Sequence, residues 1–178
     1  MNTTPVNILT LHEDIKNTLR SKFSTNAIPT IEYYSRVQTK VIVPAIFFEL
    51  VSVTGNTDSA TGQFDGTFKF SAYCVLPFTT DMAIVKTRAL ACELAGKITG
   101  ERFGHSIMPA KVTLIEPDNF EAENPQYETV RVDWEQDGLL GTDMFSTGED
   151  FIPTEVWFGF TPYTGVENID KYIKVYPK

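Results

Sequence analysis

The sequence predicts an α+β fold: one mainly antiparallel or mixed sheet of about five to six strands, with two main helices packed on one face. Three observations carry this. Period-two alternation recurs, most clearly in "GTFKFSAYCVLPF", where Phe68, Phe70, Ala72, Cys74 and Leu76 fall on one side and Thr67, Lys69, Ser71 and Tyr73 on the other. Two segments instead repeat apolar residues at three- and four-residue spacing, the mark of amphipathic helices. The 13 Phe and 7 Tyr in 178 residues lean the composition toward sheet.

The first helix is read from the stripe Ile8, Leu11, Ile15, Leu19 and Phe23. Two starts fit it. Thr10 can cap, with Glu13 closing a capping box and Leu9 placed for a staple, or Thr4 can cap with Pro5 in the first position. After a turn at 24–27 come three strand-like runs: 28–36, 41–55 and 66–78. Pro44 marks an edge, a bulge or a strand start just after it. Residues 56–65 are polar and longer than a tight hairpin needs. In "TDMAIVKTRALACELAGKITG", Thr80 can cap a second helix and Asp81 complements its positive end. Ile84, Ala91, Leu94, Ala95 and Ile98 form its expected buried face, and Gly100 stops it.

A short strand over 112–116 and an acidic loop follow. "YETVRVDWEQ" then alternates again, with Val130, Val132 and Trp134 inward and Thr129, Arg131, Asp133 and Glu135 outward. Residues 137–153 hold three glycines with little periodicity, and 138–151 read as a long loop. In "EVWFGFTPYTG", Val156, Phe158 and Phe160 share one face of a late sheet strand packed on the helices. Pro162 ends that strand and Gly165 permits a turn into a short tail, 166–178. The whole chain, 1–178, reads as a single domain.

The net charge of −8 and the pI near 4.7 weigh against general nucleic-acid binding and against an anionic membrane surface. No segment approaches the ~20 apolar residues of a membrane helix, and the N-terminus lacks a basic region ahead of an apolar one, so cytoplasmic assembly is expected. Cys74 and Cys92 read as reduced small hydrophobes.

The sequence offers no catalytic constellation. His12 and His105 have no Cys or His at ligand spacing and read as structural. There is no G-x-S-x-G elbow, no phosphate-binding loop, and nothing basic beside Cys92. Asp133 and Glu135 share a strand face about 7 Å apart, which reads as a solvated face. Asp143, Glu149 and Asp150 do not match an EF-hand. No enzyme activity, cofactor or metal is expected. Surface remains: Trp157, Tyr163 and Tyr172 are candidates for contact with other chains, with a core position for Trp157 equally open.

Three blocks in order carry a resemblance. They are "VPAIFFELVSV" with the loop "TGQF" and "FKFSAYCVLPF"; the alanine-rich "TRALACELAGKITGERFG"; and "VRVDWEQDGLLG" followed by "VWFGFTPYTGVENIDKY". Together the pattern resembles tail terminator (tail completion) proteins of long-tailed bacteriophages and related phage-tail-like particles, over roughly 28–172. The stretch Gly138 to Phe151 is longer than that pattern. The resemblance implies a structural virion protein at the head-proximal end of the tail, assembled in the host cytoplasm. It would form a ring, by resemblance a hexamer, that caps the tail tube and stops its growth. Its partners would be other copies of itself, the tube protein, the sheath where there is one, and the neck or connector, with DNA only passing through the lumen and no membrane. It adds Asp58, Thr61, Gln63, Trp134 and Gln136 to the interface candidates. A neck or head-completion protein and a tail tube subunit are the alternatives within this class, and an enzyme or small-ligand module is the alternative outside it.

Overall fold

In the computed structural model, residues 6–34, 42–56, 62–118, 126–141, 156–159 and 166–176 are described. The chain divides into two compact units, Met1–Asp143 and Met144–Lys178, where the sequence predicts one domain.

In the first unit the order is α1 (Ile8–Lys22), β1 (Thr30–Tyr33), β2 (Ala45–Gly55), β3 (Phe64–Pro77), α2 (Ala83–Ile98), β4 (Lys111–Pro117) and β5 (Tyr127–Leu140). The five strands form one sheet in the order β1-β2-β3-β5-β4. β1 runs parallel to β2, and the other pairings are antiparallel. The α+β reading with one mixed sheet therefore holds.

α1 starts at neither expected cap. Asn7 is the N-cap, and its side-chain oxygen accepts from the N–H groups of Leu9, at 2.9 Å, and Thr10. An Asn in this role is worth about 1 kcal/mol over alanine. Leu11, Ile15 and Leu19 then bury completely, and Phe23 caps the C-terminus and is itself buried. α2 starts later than expected. Thr80 lies in the preceding turn, its carbonyl accepting from the Ala83 N–H, and Met82 occupies the cap position in a left-handed conformation. The buried face is Ala83, Thr87, Leu90, Ala91, Leu94, Ala95 and Ile98. Ile84 is exposed: it shares the side of Ala91, seven residues on, but lies in the first turn, at the end of the helix where Phe78, Met82 and Val85 are exposed too.

Of the three readings of Pro44, the strand start is the observed one: β2 begins at Ala45. The register places Ile46, Phe48, Phe68, Phe70, Ala72, Cys74, Val130, Val132 and Trp134 on one face, under both helices, in one continuous core. Full burial of each large side chain there contributes about 1.5–3 kcal/mol. The helices are tied at their C-terminal ends. Lys22 Nζ donates to the Lys97 carbonyl at 2.9 Å, Lys97 Nζ returns to the Lys22 carbonyl at 2.6 Å, and Lys22 pairs with Glu101.

β5 continues to Leu140, so Gly138–Leu140, expected as loop, extends the strand. Its partner is why: β3 runs back to Phe64 and offers an unbroken ladder. The second unit holds β6 (Val156–Phe158), a short 3-10 helix (Val166–Lys171) and β7 (Ile173–Tyr176). β6 pairs with β7 in a separate two-stranded sheet, so it is not a late strand of the main sheet as the sequence suggested.

Candidate functional site

Alternation along β5 puts Trp134, Gln136 and Gly138 on the inner face. Trp134 is fully buried and stacks on Phe70, with ring centroids 5.0 Å apart and planes within 11°. Its indole N–H donates to Gln136 Oε1 at 3.3 Å. Gln136 is also buried, and its amide donates to the carbonyls of Glu101 and Met108, each at 3.1 Å. Beside it, a Cβ on Gly138 would stand 2.8 Å from Ile107 and 2.9 Å from Phe68. The "WEQDG" segment thus anchors the connector 101–108 from within. Trp134 and Gln136, expected at an interface, are interior residues of the subunit: inward parity and a full set of hydrogen bonds place them there.

Gln63 is interior too. It is buried, and its amide donates to the Gly141 carbonyl at 3.0 Å, tying the foot of the β2–β3 connection to the end of β5. Asp58, Thr61 and Tyr163 lie outside the described residues. Trp157 and Tyr172 belong to the second unit. Trp157 is 49% exposed, with Lys174 Nζ 5.6 Å from its ring centre. Tyr172 lies against Gly159, where an added Cβ would come within 2.1 Å of its ring. Only glycine fits under that ring as it stands. Phe158, expected to pack inward, is 54% exposed.

The opposite face of the sheet is where charge collects. Glu49, Ser71 and Asp133 lie in one row, Lys69, Glu135 and Lys111 in the next, and Tyr73, Arg131 and Glu116 in a third. Arg131 is ringed by carboxylates: Glu116 at 2.5 Å, Asp133 at 3.1 Å and Asp118 at 3.5 Å. Burial works against its charge, but the three carboxylates outweigh it and raise its pKa above the ordinary arginine value. Ser71 donates to Asp133 at 2.6 Å, and Tyr73 to Glu49 at 2.9 Å. Burial pushes the Tyr73 pKa up, and the bond to Glu49 adds to it. Nearer the other end of this face, Ala45, Phe47 and Val75 form a small second core beneath Tyr34, Val43, Tyr73 and Tyr127. Thr129 points to this face as expected, yet it is buried there.

The histidines are built into the fold. His12 Nδ1 donates to the Ile8 carbonyl at 2.8 Å, and its ring stacks near Phe48. His105 Nε2 lies 2.9 Å from Asp14 Oδ2 and links the connector to α1. Among the described residues no group of three or more His, Cys, Asp or Glu is arranged to hold a metal ion, and no helix is long and apolar enough to cross a membrane. Burial drives the Cys74 thiol pKa well above its ordinary value, so it stays protonated.

The main sheet has two unlike borders. One is β4, with Leu114 and Ile115 each 40% exposed and a bulge between Val112 and Leu114. The other is formed by β1, which among the described residues pairs with Ala45–Phe48 of β2; Val51, at a bulge in the far half of β2, is exposed. No family model and no curated protein matches this sequence. One solved structure aligns over 76% of this chain and 96% of its own at 15% identity, with a TM-score of 0.41, a likeness that carries no argument about fold or function.

Proposed function

We propose that this chain is a structural subunit of a closed ring, and that the ring caps a phage tail tube, ends its growth and offers a surface to the neck. The observation that carries the reading is the pair of unlike sheet borders. A ring needs two different patches on each copy, one meeting the other on the next. β4 and the β1–β2 border are two such patches on one rigid sheet, each with exposed apolar side chains beside a bulge. The resemblance of the sequence blocks supplies the identity of the ring. The first block becomes β2 and β3, the second α2, and the WEQ segment β5, and these pack together as the centre of the unit. On this reading the chain is not an enzyme, and its partners are its own copies, the tube protein and the neck.

Light scattering and negative-stain microscopy of the purified chain, alone and with isolated tail tubes, test this. Discrete rings, or caps confined to one tube end, are expected. Long tubes formed by the chain alone point to a tube subunit instead. Binding to portal or neck complexes without tube-end capping points to a head-completion protein.

A further inference from the structure

The helical side of the first unit carries an apolar knob. Where β3 ends and α2 begins, Phe78, Met82, Ile84 and Val85 are all exposed, Met82 and Val85 at 61%. Large apolar side chains scattered singly need no explanation, but four within eight residues form a patch. The patch is flanked by Lys86 and Arg88, both exposed and neither in an ion pair among the described residues.

The same unit carries an apolar groove of about 290 Å³, lined by Ile8, Leu9, His12, Glu13 and Tyr33. Leu9 on its wall is 79% exposed. Glu13 on the rim is exposed and likewise has no ion pair among the described residues.

Knob and groove share no residue within one chain. The groove lies between the start of α1 and β1, where Tyr33 pairs with Phe48 of β2 and Phe48 with Ala72, five residues before the end of β3. The knob follows Pro77, the last residue of β3. At about 3.3 Å per residue those five residues span roughly 17 Å, and β1 stands two strand spacings of about 4.8 Å from β3. They also differ in charge: Lys86 and Arg88 outnumber the one carboxylate of the knob, Asp81, whereas Glu13 stands at the groove.

We propose that the β3–α2 knob of one copy seats in the α1–β1 groove of the next, with Lys86 and Arg88 facing Glu13. This is a head-to-tail contact between copies of the chain, and it rests on the ring reading for its closure. The contact needs apolar side chains on the knob, the apolar wall formed by Leu9, and opposite charge at the rim.

Two variants test it. Val85→Asp spoils the knob and Leu9→Asp spoils the groove, and both positions are exposed, so each variant is expected to keep the wild-type melting temperature. By light scattering, each alone should drop from the assembled mass to the monomer mass. Mixed one to one, they should form a dimer and stop there, because one intact knob and one intact groove remain. Lys86→Glu and Glu13→Lys should each weaken assembly about tenfold, and the double variant should recover it. Wild-type protein that is monomeric both alone and on tubes, single variants that keep the assembled mass, or a mixture that stays monomeric would each overturn the contact. Rings that persist in both single variants reject the contact and leave the ring reading standing. A mixture that dimerises, from a protein that never caps tube ends, does the reverse.

Discussion

Gln136 is the side chain on which most of the local order converges. It satisfies the buried Trp134 indole and two carbonyls of the part-buried 101–108 connector. Replacing it with leucine keeps the volume and strands those three groups. Each buried polar group left unpaired costs roughly 1–3 kcal/mol, and connector relaxation recovers part of it. Gln136→Leu is therefore expected to lose about 3 kcal/mol in urea unfolding. Gln136→Glu should recover less at neutral pH than in acid, since the charged form would be buried and cannot donate. The two cysteines make a second prediction at this scale. Cys74 is fully buried with a raised pKa, whereas Cys92 is exposed. A thiol reagent at pH 8 should label Cys92 at once and Cys74 only after denaturant is added. Rapid labelling of both in the native protein would contradict the buried position.

At the scale of elements, the helices and central strands were legible because each has one buried face and one other. Phe68 to Leu76 on β3, Val130 to Trp134 on β5 and Leu11 to Leu19 on α1 all bury as their periods dictate. The misses share a cause: a local signal was outweighed by a partner remote in sequence. Gly138–Leu140 looks structureless, but β3 supplies its ladder. Trp134 and Gln136 look like contact residues until connector carbonyls, some 30 residues earlier in sequence, arrive to be satisfied. Capping is the exception, since Asn7 was a local signal, adjacent to two competing threonine caps. In α2 the start lies two positions later than the expected Thr80 cap, and Ile84 falls in the first turn. Leu94 is fully buried and Ile84 half exposed. Leu94→Ala should cost about 2–5 kcal/mol, while Ile84→Ala should leave unfolding within about 0.5 kcal/mol of wild type. Equal losses at the two positions would mean that the first turn of α2 is buried as deeply as its middle. Alkaline pH probes the strands. Tyr33 is pushed up to about 12 by burial, with the Glu13 carboxylate adding to it, and Tyr73 and Cys74 are raised as well. A raised pKa means that the folded state holds the proton more tightly. The associated stability is intact below the ordinary values of 9.0 for Cys74 and 10.0 for the tyrosines. It is lost as pH climbs past them. The urea midpoint should be flat from pH 7 to about 8.5 and fall from about pH 9 upward. Cys74→Ala should delay the onset of that fall toward about pH 10, where tyrosine ionisation begins.

For the whole molecule, the sign and placement of charge decide what it can hold. The chain carries 23 acidic and 15 basic side chains. On the sheet face away from the helices, Glu49, Glu116, Asp133, Glu135 and Asp137 face only Lys69, Arg131 and Lys111 across the described strands. Arg131 is already engaged by carboxylates and Lys69 by Glu135, so little positive charge is left there to attract phosphate. If this face lines the lumen of a ring, DNA passing through would meet like charge. It would be repelled weakly and evenly, with none of the counterion release that makes basic channels grip. The prediction is that assembled protein shows no shift in the anisotropy of labelled duplex DNA at 20 mM salt, and no change when salt is raised to about 200 mM. Glu135→Lys with Glu116→Lys shifts each copy by four charges toward positive and frees Arg131 from one partner. That variant should begin to retain DNA at low salt and release it steeply as salt rises. Tight, salt-sensitive binding by the wild type would place a basic surface in the lumen and remove the sheet face from it.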